Sequence, residues 1–185
     1  NGQFEVWSYL ADGVTLDTHV IQQPMTQAEL TALGLTLSSP LVAGQAVTKV
    51  TSFVVSAGVD STTIDSIVIQ RELPNGQFEV WSYLADGVTL DTHVIQQPMT
   101  QAELTALGLT LSSPLVAGQA VTKVTSFVVT AGVDSTTIDS IVIQRELPNN
   151  QFEVWSYLAD GVTLDTHVIQ QPMTQAELTA LGLTL

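Results

Sequence analysis

The sequence contains no cysteine among its 185 residues. Disulfides, thiolate metal sites and a cysteine nucleophile are therefore excluded. Basic residues are nearly as scarce. Lys49, Arg71, Lys123 and Arg145 stand against eighteen acidic residues, for a formal net charge of −14. Four scattered cations make no phosphate-neutralising patch, so nucleic acid is not an expected partner. An anionic membrane surface is disfavoured on the same ground. No apolar run approaches the roughly 18–20 residues of a membrane-spanning helix, so no membrane span is expected. No phosphate loop, HExxH, GxSxG or zinc spacing occurs.

What is present favours strands. Hydrophobic residues make up 45%, and mean hydropathy is +0.31. Val, Ile and Leu alternate with plentiful Thr and Ser, which suits a pleated sheet rather than a disordered chain.

The dominant feature is repetition. Asn1–Pro74 recurs as Asn75–Pro148, and Asn149–Leu185 begins a third copy. The first two copies differ only at Ser56 against Thr130, and the third departs from the second where Gly76 becomes Asn150. Both changes are mild: a shared hydroxyl, and the two residues most tolerant of positive φ. The pattern reads as natural tandem duplication. With no initiator Met and both ends falling inside a copy, the chain reads as a window on a longer polypeptide. The expected division is 1–37 as a partial repeat (a hairpin plus helix), then 38–111 and 112–185 as full repeats.

Within 38–111 the spacing predicts strands over about 49–56, 62–72, 77–85 and 88–96. The loop Ala57–Ser61, the segment Pro74–Gln77 and the turn at Asp86–Gly87 join them. The two halves resemble each other, Val50–Val55 against Val80–Ala85 and Thr63–Gln70 against Thr89–Gln96. The fold class is thus mainly β: tandem repeats of a four-stranded antiparallel meander built from two related hairpins, plus one short helix per 74-residue repeat. That helix follows a capping box, with Thr100 as N-cap, Glu103 at N3 and Gly108 to end it. Ser38–Pro40 and Ser112–Pro114 mark breaks between copies.

The turn chemistry also predicts a register. It sets Leu73 opposite Phe78, Ile69 opposite Ser82, Ile67 opposite Leu84, Tyr83 opposite Leu90 and Trp81 opposite Thr92. One face then carries Ile67, Ile69, Leu73, Phe78, Val80, Leu84 and Ile95. The other carries Val68, Trp81, Tyr83, Leu90 and Val94. Both faces are apolar, so one is expected on the helix and the other on a neighbouring repeat or chain. The same register opposes Glu72 and Glu79, an unfavourable pair.

Few residues invite chemistry. His93, copied as His19 and His167, lies near Asp91 and Arg71, which would suit a base with its orienting group. No nucleophile is recognisable beside it except Ser82, so a packing or surface histidine is the expectation and no catalytic residue is assigned. Asp60, Asp65, Asp86 and Asp91 raise calcium, but no consensus calcium loop is present. No cofactor is assigned, and calcium held between repeats by carboxylates of two units is kept only as the minor alternative. Trp7, Tyr9, Trp81, Tyr83, Trp155 and Tyr157 are candidates for inter-repeat or ligand contact, either as packing anchors or as a carbohydrate-stacking platform.

These acidic, cysteine-free, Thr/Val-rich β-repeats, copied almost without change, resemble the stalk and fibre regions of large bacterial surface adhesins and biofilm matrix proteins. The resemblance implies a non-enzymatic structural segment of an extracellular or cell-surface filament or stalk. Its partners would be neighbouring repeats or identical chains, met through strand pairing or sheet packing. The other function class is a multivalent module binding glycans or another ligand through avidity.

Overall fold

The structure is a computed structural model, and it describes residues 2–37, 40–109 and 114–183. The expected breaks at Ser38–Ser39 and Ser112–Ser113 lie outside the described residues. Ten strands run in chain order: β1 (Phe4–Tyr9), β2 (Leu16–Met25), β3 (Gln45–Ser56), β4 (Val59–Glu72), β5 (Phe78–Leu84), β6 (Leu90–Met99), β7 (Gln119–Thr130), β8 (Val133–Leu147), β9 (Gln151–Leu158) and β10 (Leu164–Gln170). They form one antiparallel sheet whose spatial order is the chain order, β1 through β10. Three short helices are α1 (Gln27–Ala32), α2 (Gln101–Ala106) and α3 (Gln175–Ala180). Among the described residues no helix is long and apolar enough to cross a membrane. The mainly β class is therefore observed.

The expected helix cap is present. The Thr100 hydroxyl accepts from the Glu103 backbone N–H at 3.3 Å, and the Glu103 carboxylate accepts from the Thr100 N–H at 2.6 Å. Gly108 follows the helix at φ 71°. Its N–H donates to the Thr105 carbonyl and that of Leu109 to the Leu104 carbonyl, both at 3.0 Å. This is a Schellman closure, and it uses the glycine for its left-handed backbone.

Contacts divide the chain into two compact units, one of residues 1–71, 80–92 and 173–185, the other of 72–79 and 93–172. In the first, Met25, Leu30, Leu37, Val47, Ile67 and Ile69 form the core, with Trp81 and Tyr83 packed against it. In the second, Met99, Leu104, Val121, Ile141, Ile143 and Tyr157 form the core, with Trp155 against it. Leu30 and Leu104, one from each short helix, are fully buried. Truncating such a side chain to Ala costs about 2–5 kcal/mol. The helix thus pins one face of the sheet at a single deep contact.

Two turns differ from expectation, and both set the register. Between β4 and β5 the linker is a three-residue 3₁₀ turn, Pro74–Gly76, closed by the Leu73 N–H on the Gln77 carbonyl at 2.7 Å. The expected linker was one residue longer. The equivalent ladder pairs Leu147 with Gln151, Arg145 with Glu153, Ile143 with Trp155 and Ile141 with Tyr157. Ser82 is therefore displaced from Ile69, and Trp81 and Tyr83 share the face of Ile67 and Ile69. The anticipated Glu72–Glu79 opposition is replaced in kind by an arginine–glutamate pair. In the second linker, Asn150 sits at φ 59° and Gly76, its counterpart, at φ 72°. This is why the sequence exchanges these two residue types there.

The second difference is a bulge. Tyr9 pairs with Leu16 as the turn chemistry requires, but the ladder then skips Asp17, pairing Ser8 with Thr18 and Trp7 with His19. The third copy does the same, pairing Tyr157 with Leu164 and Trp155 with His167 across a skipped Asp165.

The β3–β4 turn is tighter than the loop expected over 57–61. Ser56 pairs with Val59, leaving Ala57 and Gly58 at φ 53° and 77°. Two consecutive positive φ angles define a type I′ hairpin, in which Asn-Gly is the favoured pair and alanine is strained. Ala57→Asn with Ala131→Asn should therefore stabilise the protein by about 1 kcal/mol per turn in urea denaturation. Unchanged or lower stability would contradict this backbone geometry.

Candidate functional site: a histidine between two carboxylates

The bulges before His19 and His167 bring those rings opposite Trp7 and Trp155, on the face that carries Glu5 and Glu153. His19 on β2 is only 7% exposed. Its Nε2 lies 2.8 Å from Glu5 on β1, and its Nδ1 lies 2.7 Å from Asp60 on β4. Phe53 of β3 lies under the ring, with centroids 4.1 Å apart and planes at 9°. Trp7 stacks at 5.3 Å and 11°. His93 repeats the arrangement, at 2.8 Å from Glu79, 2.7 Å from Asp134 and 4.1 Å over Phe127. His167 keeps Glu153 at 2.8 Å and the Trp155 stack at 5.4 Å.

The chemistry follows from the donors. Two ionised carboxylates only accept, so His19, hydrogen-bonded to both, donates from both nitrogens as the imidazolium. Burial alone would lower the pKa of His19, but the hydrogen bonds to Asp60 and Glu5, with their charges, outweigh it and hold the ring above its ordinary value. Such a ring has no free lone pair and does not act as a general base. It is a cationic tie across strands that are adjacent or separated by one strand.

The neighbouring charges extend the pattern. Arg145 holds Glu153 through Nε at 2.8 Å and a second guanidinium nitrogen at 2.7 Å. Its Cζ lies 5.2 Å over the Trp155 ring, and that of Arg71 lies 5.1 Å over Trp81. Desolvation works to raise the Glu153 carboxyl, but hydrogen bonds from His167 and Arg145 hold it below its usual value. Lys49 pairs with Asp65 at 3.0 Å, while the Thr51 hydroxyl donates to the same carboxylate at 2.6 Å. Those contacts, the Thr51 hydrogen bond first, lower the Asp65 pKa.

The six aromatic candidates fall on this same face. Tyr157 is buried, Trp81, Tyr83 and Trp155 pack against the cores, and Trp7 is half exposed. Asp91 is exposed, and the partner on His93 Nδ1 is Asp134 instead. Asp86 turns back on its own loop, accepting from the N–H groups of Val88 and Thr89 at 2.9 and 2.8 Å. Asp60 and Asp134 were invisible to motif reading as histidine partners, because each lies 41 residues from its ring. Their signal was weak: Asp60 was recognisable only as a turn residue, and a β-bulge between Val54 and Val55 carries it onto the histidine face.

The chain matches no protein-family model, no curated protein and no solved structure.

The His19 bridge has a definite pH sign. Its folded pKa is raised, so its stabilisation is fully present below the unfolded value of 6.5 and is lost as pH rises through the higher folded value. Urea unfolding should show stability declining as pH rises above 6.5, and Asp60→Asn should shrink that decline and lower the His19 pKa read by NMR. A His19 pKa below 6.5 would rule the bridge out.

Proposed function

We propose that this chain is a non-enzymatic structural segment of an extracellular or cell-surface filament or stalk, in which each sequence copy adds its strands to a sheet shared with the next. One observation carries the reading: with repeats taken as 38–111 and 112–185, His93 and Glu79 belong to one repeat and Asp134, 41 residues on from the histidine, to the next. An ion bridge across that repeat boundary would couple repeats that a flexible linker would leave as separate beads. Strand order equal to chain order supports the same growth mode, and nearest-neighbour stacking is how repeat proteins gain length. The acidic composition keeps such a polymer soluble through self-repulsion. Four basic residues in 185 leave few trypsin-type cleavage points, which suits life outside the cell.

Small-angle X-ray scattering on arrays of increasing copy number tests this reading. Four strands at about 4.8 Å spacing give a length increment of about 19 Å per copy for a continuous sheet. A much larger increment, or a melting temperature independent of copy number, would mean beads on a string and overturn the shared sheet.

A further inference from the structure

In each unit one helix, α1 or α2, and the ionic contacts share one face of the sheet. The opposite face is bare, and it is nearly free of charge. In the first unit, the positions paired on that face across β1–β4 run through Val6 and Val20, Val50 and Ser66, Thr48 and Val68, Ser52 and Ile64. None of the paired positions on this face of β1–β4 is Asp, Glu, Lys, Arg or His. In the second unit, the same face of β6–β10 presents Val94 with Ser126, Ser126 with Ile138, and Val154 with Val168. Its only charged paired residue is Glu146, opposite Phe152 near the strand end. Ile64 and Ile138 remain 59% and 61% exposed.

This distribution is unexpected for a chain of net charge −14. A wet sheet face in so acidic a protein would carry a share of its carboxylates. Here the strand carboxylates that make ionic contacts, such as Glu5, Asp60, Asp65 and Glu79, face the other way. Exposed apolar patches of this kind mark association surfaces. A basic partner would find no carboxylate to pair with, and an acidic one no cation. Two copies of this chain, by contrast, meet fewest opposing carboxylates on this face, where Glu146 and its equivalent Glu72 stand only at the strand ends.

We propose that the charge-poor face of each unit docks on the same face of a second copy of this chain, as two sheets packed face to face about 10 Å apart. Valine, isoleucine, serine and threonine interdigitate there, and the contact is isologous, with each patch meeting its own equivalent. This deepens the reading of the chain as a self-associating structural segment and rests on it. It adds a lateral contact to the axial growth already described.

Sedimentation velocity over about 10–500 µM tests it, comparing the native chain with Ile64→Glu/Ile138→Glu. Both sites are exposed, so circular dichroism and melting temperature should stay close to those of the native chain. The native chain should associate with rising concentration, and the double variant should weaken association by about tenfold or more, because each glutamate would be buried unpaired. Val162→Glu, in a turn residue 50% exposed, should associate like the native chain. A native chain that stays monomeric, or a double variant that associates equally, overturns the face-to-face contact. Pelleting of the monomer with neutral phosphatidylcholine vesicles would assign the face to lipid and overturn it as well. The axial increment per copy is independent of all these outcomes, so the lateral contact can fail while the shared sheet stands.

Discussion

The length of one turn decides what this protein can be. A strand presents alternate residues to opposite faces, so one residue more or less in a connection moves every following side chain to the other side. The three-residue 3₁₀ turn at Pro74–Gly76 and its counterpart Pro148–Asn150 leave Trp, Tyr and Glu on the face already holding Ile, Ile and Arg. One more residue would have buried Val80 and Phe78 against the helix instead and set two glutamates opposite each other. The observed length puts apolar beside apolar and acid beside base. The bulges at Asp17 and Asp165 then do the same for histidine, bringing each ring beneath its tryptophan. Proline fixes the first residue of the turn, and Gly76 or Asn150 supplies its positive φ.

From that register follows a division of labour between faces. On the covered face, a few large apolar side chains from the sheet meet a single buried leucine from each of α1 and α2. Around that small core the charges are neutralised in place: arginine on glutamate, lysine on aspartate, histidine between two carboxylates. A chain with four permanent cations gains a further one at His19, whose protonated form is favoured by the two carboxylates it ties together. Removing one partner of such a group leaves an uncompensated buried charge, which is why these ties specify geometry more than they add stability. On the bare face the same alternation leaves hydroxyls and aliphatics with almost no charge.

Much of this was legible in the sequence and part was not. The strand content, the order of strands and the helix with its capping box are local properties. They were readable from alternation, from Thr100 with Glu103, and from Gly108. The Tyr–Leu pairing beside the Asp-Gly turn was readable for the same reason. The faces were not, because Pro-Asn-Gly is compatible with more than one connection length and the error propagates along the strand. Bulges such as those at Asp17 and Asp165 leave no signature in Leu-Asp-Thr-His, and Asp91, expected beside His93, is exposed while Asp134 takes its place. Asp60 and Asp134 as ring partners depend on three strands lying in order, a tertiary fact. Trp81 and Tyr83 were expected on one face but opposite Ile67 and Ile69, whereas they pack on the core of those residues, and what joins the aromatics there, the arginines and histidines stacked on the tryptophan rings, belongs to the register.

The register of β8 on β9 is therefore the place to strike. The chain has no cysteine, so two engineered thiols can react only with each other within the molecule. Val142 opposes Ser156 in the ladder, and directly opposed strand residues fall within disulfide reach. Mild oxidation of Val142→Cys/Ser156→Cys should give a complete intramolecular disulfide by mass spectrometry, while Ile143→Cys/Ser156→Cys, whose side chains point to opposite faces, should stay reduced. The reverse outcome would mean a connection one residue longer, with Trp155 on the bare face, and would contradict the buried network, the histidine bridge and the charge-poor face together.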